Sequence, residues 1–209
     1  MSYEEICNAV VSGNESKVKE LAQKLLDAGN NPLEIISDGL IAGMNVVGPR
    51  FKDGEMFVPE VLMAAKAMDS GLEIVKSVLT DTEIPSIGKV VIGTVEGDLH
   101  DIGKNLVAMM IESAGFNVVN LGVDKSAEDF VQAVKEHSPD IVAMSALLTT
   151  TMEKMQGTIE ALNEAGLKEK VKVIIGGAPI SQSFADKIGA DGFAADAGSA
   201  AELCKKLLA

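Results

Sequence analysis

The hydrophobic period of this chain changes once, between Leu79 and Lys89, and that change limits the possible folds more than any other feature. Before it, apolar residues recur only at helical spacing. Ile6, Ala9 and Val10 form one stripe, and Val18, Leu21, Ala22, Leu25 and Leu26 a second. Leu33, Ile36, Leu40, Met44 and Val47 form a third, and Val61, Leu62, Ala65, Met68, Leu72, Val75 and Leu79 a fourth. Punctuation falls between the stripes. Ser2 and Glu5 have capping-box spacing, Gly13 and Asn14 separate the first two helices, and Asn31-Pro32 opens the third. Gly48-Pro49 is expected to weaken or end the third helix, and the fourth starts near Pro59. Four amphipathic helices on short connections predict a small bundle.

After the change, apolar strand-like runs at 89–94, 117–121, 141–145, 171–175 and 192–195 alternate with helical stripes. Strands alternating with helices predict an α/β domain, a parallel sheet covered on both faces. Five strands suggest the flavodoxin-like (Rossmann-type) order, with ligands bound at the carboxyl ends of the strands. The stretch from Thr80 to Gly88 has no stripe and holds both Pro85 and Gly88. We therefore expect a helical cap over 1–82, a linker over 83–88 that can serve as a hinge, and an α/β domain over 89–209.

Composition narrows the function. A formal charge of −13 argues against nucleic-acid binding, which needs a basic surface. Aromatic residues make up 3% of the chain, so the core must be aliphatic. No apolar run approaches the ~20 residues that span a bilayer, so no membrane association is expected. The acidic start Met1-Ser2-Tyr3-Glu4-Glu5 does not resemble a secretory signal. Cys7 and Cys204 lie far apart and form no CxxC pair, which fits a reducing cytoplasm.

The first strand-to-helix loop of the sheet domain, Gly93 to Asn105, carries His100, one of two histidines in the chain. Gly97 and Gly103 are separated by five residues and followed by Lys104-Asn105, so the P-loop spacing and its Ser or Thr are both missing. No G-x-G-x-x-G follows the strand, and no Cys or second His lies nearby to complete a zinc site. A phospho-receiver would want an Asp after a central strand, where this chain has Ser145 and three threonines. A single His suits a metal whose remaining ligands come from a cofactor. One ring nitrogen binds, and a partner on the other fixes the tautomer. Asp98 is placed to be that partner. Gly97 and Gly103 leave room for a bulky group. The loop alone does not decide between this reading and a plain glycine turn around a polar His.

Two further strand ends bear on the choice. Ser145-Ala146-Leu147 closes the third strand and Gly176-Gly177 the fourth, at the same sheet edge. Asp98-x-His100-x-x-Gly103, then Ser145-x-Leu147, then Gly176-Gly177 resembles the cobalamin-binding signature of corrinoid proteins. Nearly the whole chain is covered, because the family carries a four-helix cap, often with a segment like Gly54-Glu55-Met56-Phe57-Val58-Pro59-Glu60-Val61. The chain is similar to the cap and cobalamin modules of cobalamin-dependent methionine synthase and to free-standing corrinoid subunits of methyltransferase systems.

The resemblance implies cobalamin, or methylcobalamin when charged, as the cofactor. It implies that the cofactor's benzimidazole leaves cobalt for a slot in the sheet domain and that His100 becomes the metal ligand. Asp98 and then Ser145 would form the relay behind it. Gly93, Thr94, Gly97, Asp101, Ile102, Gly103, Leu147, Thr149, Gly176 and Gly177 would line the cofactor site. Met56, Phe57 and Val61 of the cap are candidates to cover the corrin, with ordinary bundle core as the other reading. The implied function is methyl carriage rather than catalysis alone. The implied partners are a substrate:corrinoid methyltransferase, a second methyltransferase acting on tetrahydrofolate or a thiol, and a reductive activase. The alternatives are the cobalamin subunit of an adenosylcobalamin mutase, against which the preceding bundle counts, and a cobalamin sensor. Known sensors add a DNA-binding domain, and the photosensors a cap tryptophan; this chain has no Trp.

Overall fold

The computed structural model describes residues 2–79 and 86–209. The expected linker 83–88 lies outside the described residues except for 86–88, and so does most of the proposed hinge. The chain divides into two compact units, Met1–Ser86 with Ser113–Gly115, and Ile87–Glu112 with Phe116–Ala209.

The first unit contains helices α1 (Tyr3–Val11), α2 (Glu15–Asp27), α3 (residues 32–52) and α4 (Val58–Lys76). Asn14 caps α2 by accepting the Lys17 N–H, and Asn31 caps α3 by accepting that of Leu33. Ser2 stands at the α1 N-cap without a side-chain hydrogen bond, so the expected capping box does not form. The third helix is continuous but irregular. It begins as Pro32–Glu34, widens to a π-helical stretch over Ile35–Ile41, and returns to α geometry over Ala42–Lys52. Gly48-Pro49 therefore does not end it. Val47 and Gly48 are buried, and packing against neighbouring helices outweighs the local cost of Pro49. Helices α1 and α3 approach very closely. A Cβ on Gly39 would stand 2.7 Å from Ile6 Cγ2, and one on Gly43 2.7 Å from Val10 Cβ.

The second unit is a five-stranded parallel sheet in the order β2-β1-β3-β4-β5. Its strands are β1 (Lys89–Val95), β2 (Asn117–Lys125), β3 (Ile141–Ser145), β4 (Lys172–Gly176) and β5 (Gly192–Ala194). The helices between and after them are α5 (Ile102–Ser113), α6 (Ala127–His137), α7 (Met152–Glu164), α8 (Gln182–Ile188) and α9 (Ala197–Leu208). The central strands read as continuous apolar runs because both of their faces are covered. One face packs Val91, Val142, Met144, Val173 and Ile175 against Phe130, Met155, Ile159 and Leu162. With side chains alternating along each strand, the other face takes Ile92, Thr94, Ala143, Ser145, Ile174 and Gly176.

Both cysteines are free, and burial pushes the Cys204 thiol up to about 12. Among the described residues no helix is long and apolar enough to cross a membrane.

Candidate functional site

The β1–α5 loop is organised around Asp98, whose side chain is fully buried. Its Oδ1 accepts the His100 N–H at 3.1 Å and lies 2.7 Å from His100 Nδ1. Its Oδ2 accepts the N–H groups of Leu147 at 2.7 Å and Leu148 at 3.2 Å. The Thr151 hydroxyl lies 2.9 Å from the same oxygen and 2.9 Å from the Leu148 carbonyl, so its single proton serves one of them at a time. Burial by itself would raise the pKa of Asp98. The Leu147 N–H, the His100 ring and N–H, and the Thr151 hydroxyl outweigh it and hold the carboxyl well below the usual carboxylate range.

An ionised Asp98 accepts, so His100 Nδ1 carries the proton and the lone pair sits on Nε2. The imidazole is 52% exposed, and Nε2 has no partner among the described residues. Around it Leu99, Ile102, Leu147 and Leu148 are 71%, 87%, 43% and 40% exposed. Large apolar side chains left open around a polar group mark a ligand face.

Below the loop, register aligns a row of small residues. Thr94 pairs with Ser145, Ser145 with Gly176, and Gly176 with Ala194. The row crosses four strands at their carboxyl ends, on the face opposite the Phe130 cluster. Thr94 also ties down the loop, its hydroxyl donating to the His100 carbonyl at 3.0 Å. Ala194 was not legible as part of this row, because the weak fifth strand gave no register.

The expected site residues fall into distinct places. Ser145 sits in the row and is not among the partners of Asp98; the hydroxyl there belongs to Thr151, on the following loop. The relay behind Asp98 was expected through Ser145; the hydroxyl that meets Asp98 in this structure is that of Thr151. The signal lay in the run Thr149-Thr150-Thr151, but spacing alone could not choose among them. Gly93 faces the core, where a Cβ would stand 2.9 Å from Phe130 Cζ. Gly97 has φ +79°, and Gly177 has φ +131° with a Cβ position only 1.8 Å from the Ala146 carbonyl oxygen. At both, backbone shape already requires glycine. Gly103 differs, because a Cβ there would meet nothing within 4 Å.

Asp101 caps α5, its carbonyl accepting the Asn105 N–H at 2.7 Å and its carboxylate the Asn105 amide at 3.0 Å. Behind it the buried Lys104 ammonium donates to Asn105 and Asn120 at 2.6 and 2.7 Å. Burial pulls its pKa down, with Asp101 opposing. Thr149 is exposed and lines an open groove with Met152, Gln156 and Phe184. In the helical unit Met56 and Val61 are buried, whereas Phe57 is 68% exposed, as are Leu62 and Met63 at 49% and 55%.

Among the described residues no group of three or more His, Cys, Asp or Glu side chains is placed to hold a bare ion, so the chain offers His100 as a lone donor. A lone neutral imidazole beside an open apolar rim and a shelf of small residues fits a metal that arrives within a macrocycle.

A parallel sheet with one histidine presented at its carboxyl edge defines a binding module for a large metal-bearing cofactor, and the chain belongs to the B12 binding domain family. The model of that domain matches residues 88–204, and a second B12 binding domain model matches residues 2–76. The chain is 47% identical to a corrinoid protein of Desulfitobacterium hafniense (strain Y51), over 98% of this chain and 96% of that one. It is 45% identical to dimethylamine corrinoid protein 2 of Methanosarcina acetivorans, over 98% and 95%. Among solved structures it is similar to a cobalamin-binding protein from Desulfitobacterium hafniense DCB-2, with a TM-score of 0.84 and 33% identity over 99% and 98% of the two chains. It is also similar to a chain of the methanol:cobalamin methyltransferase complex MtaBC from Methanosarcina barkeri, with a TM-score of 0.87 and 34% identity over 99% and 79%. The helical unit followed by a five-stranded parallel sheet is the architecture expected from the sequence, and the cofactor it binds is a corrinoid.

Proposed function

We propose that this chain is a methyl-carrying corrinoid protein in which His100 Nε2 ligates cobalt in place of the cofactor's own benzimidazole. One observation carries the reading. A fully buried carboxylate holds Nδ1 of a half-exposed histidine whose Nε2 has no partner among the described residues, within an apolar rim. Relatives named as dimethylamine and trimethylamine corrinoid proteins support the methyl-carrier role.

When bound, the corrinoid supplies cobalt chemistry, taking a methyl group from one substrate and yielding it to another. The protein's residues set the terms. Asp98 keeps the Nδ1 proton on His100 and makes the imidazole a better donor. Thr151, with Leu147 and Leu148, keeps Asp98 ionised. The row of Thr94, Ser145, Gly176 and Ala194 forms the shelf for the displaced benzimidazole arm. Leu99, Ile102, Leu147 and Leu148 give the macrocycle an apolar seat, and Gly103 leaves space beside it. We retain the division into 1–82, 83–88 and 89–209, the last of these as the binding domain.

The partners follow from the role: a substrate:corrinoid methyltransferase, a second methyltransferase for a folate or thiol acceptor, and a reductive activase, all in the cytoplasm. The methyltransferase complex among the similar structures supports the first.

The test is an electron-paramagnetic spectrum of the cobalt(II) protein reconstituted with cobalamin carrying ¹⁵N only in its benzimidazole. A protein ¹⁴N coupling, lost in His100→Ala, is expected. A benzimidazole ¹⁵N coupling overturns the assignment.

A further inference from the structure

Strand β2 does not pair evenly with β1. The register slips between Ile92 and Gly93 and again between Gly93 and Val95. The irregularity falls where β2 passes the His100 loop, at Gly122 with φ +90° and Asp124 with φ +53°. A left-handed backbone is uncommon outside glycine, and Asp is one of the few residues that adopts it readily. Bulged strands of this kind re-aim a side chain beside functional sites.

Asp124 makes two contacts from that kink. Its Oδ1 accepts the Gly97 N–H at 2.7 Å, and its own N–H donates to the Asp98 carbonyl at 3.1 Å. These bonds grip the chain on either side of Asp98, the residue that holds the His100 ring. Asp124 makes no bond to His100. The first bond is charge-assisted and directional, because a carboxylate receives a backbone N–H. The Gly97 it holds has φ +79° and immediately precedes Asp98.

We propose that Asp124 is a positioning residue, aiming the Asp98–His100 pair so that Nε2 points at the metal position. The proposal rests on the reading above of His100 as the cobalt ligand, and the experiment separates the two.

Two variants isolate the side chain from the backbone. Asp124→Gly keeps the left-handed conformation and deletes the acceptor. Asp124→Asn keeps both, since asparagine also tolerates that conformation and offers a carbonyl oxygen. Both should fold, as circular dichroism of the apoprotein will report. In the ¹⁵N-labelled apoprotein, Asp124→Gly should speed Gly97 amide exchange by about tenfold or more. It should also move the His100 ring nitrogen shifts away from the single Nδ1–H tautomer. In the cobalt(II) holoprotein it should at least halve the fraction of signal carrying histidine nitrogen coupling. Asp124→Asn should restore all three readouts. Wild-type ring shifts and full coupling in Asp124→Gly overturn the proposal, as does an Asp124→Asn protein that behaves like Asp124→Gly. A benzimidazole coupling already present in wild type overturns the reading of His100 as the cobalt ligand instead. The apoprotein shifts then still decide whether Asp124 holds the pair.

Discussion

Replacing Gly103 by alanine should separate folding from cofactor binding. Gly103 is the second residue of α5, and a Cβ there would meet no protein atom within 4 Å. The protein therefore loses nothing by accepting the methyl group, and the unfolded chain loses freedom. A glycine-to-alanine change at a compatible site stabilises by about 0.4–1 kcal/mol. For a chain of this size that raises Tm by about 1–4 °C. The same open space is where we place the corrinoid. A methyl group forced against a rigid macrocycle costs about 1–3 kcal/mol, which weakens binding by about fivefold to 150-fold. Two assays suffice: thermal unfolding of the apoprotein by circular dichroism, and titration of the apoprotein with cobalamin followed in the visible spectrum. The apoprotein should melt slightly higher and bind more weakly. Binding within twofold of wild type would show that Gly103 does not face the corrinoid. A lower Tm would show that the open space in the apoprotein has been misjudged. Gly177→Ala is the contrasting control, since its Cβ would lie 1.8 Å from the Ala146 oxygen, and it should lose stability and binding together.

Thr151→Val removes one donor from buried Asp98 and should destabilise the apoprotein by about 1 kcal/mol in urea unfolding, with a weaker histidine coupling in the cobalt(II) spectrum. Ser145→Ala should leave Asp98 and that coupling unchanged; equal effects from the two variants would restore Ser145 to the relay. The folded-state pKa of Asp98 lies below its unfolded value, so the unfolded chain takes up this proton first as pH falls. The contribution of Asp98 is therefore complete above the ordinary carboxylate range and is lost progressively below about pH 4. Wild type should lose more stability than Asp98→Asn between pH 6 and pH 3, and parallel losses would remove Asp98 from the account. Phe130→Ala empties a fully buried site under Gly93 and should cost about 3–5 kcal/mol by urea unfolding. A cost below about 1 kcal/mol would show that the sheet collapses into the space.

What the sequence disclosed depended on how local the cause was. Hydrophobic period located every strand of the sheet unit, most plainly β1 and β3, which read as apolar runs because both of their faces are covered. It did not disclose the π-helical stretch at Ile35–Ile41 or the continuation of α3 through Pro49, since both follow from helix contacts with residues distant in sequence. The pairing of His100 with Asp98 was legible from a spacing of two residues. Thr151 was not, because it reaches Asp98 across 53 positions and the returning loop has no sequence period. Glycines were the least legible residues. Gly93, Gly97, Gly103 and Gly177 look alike in sequence, yet one faces a core ring, two satisfy backbone shape and one borders open space.

The reach of Asp98 also bears on the order of events during synthesis. Its donors Leu147 and Thr151 follow it by 49 and 53 positions, so the histidine has no fixed orientation until β3 has paired with β1 and the next loop has closed. A nascent chain that has emerged only through His100 carries Asp98 without the Leu147, Leu148 and Thr151 donors that fix it. On the proposed ligation, cofactor capture would wait until residue 151 has left the ribosome. Because the ligand binds the assembled domain and not the open chain, loading then draws folding to completion.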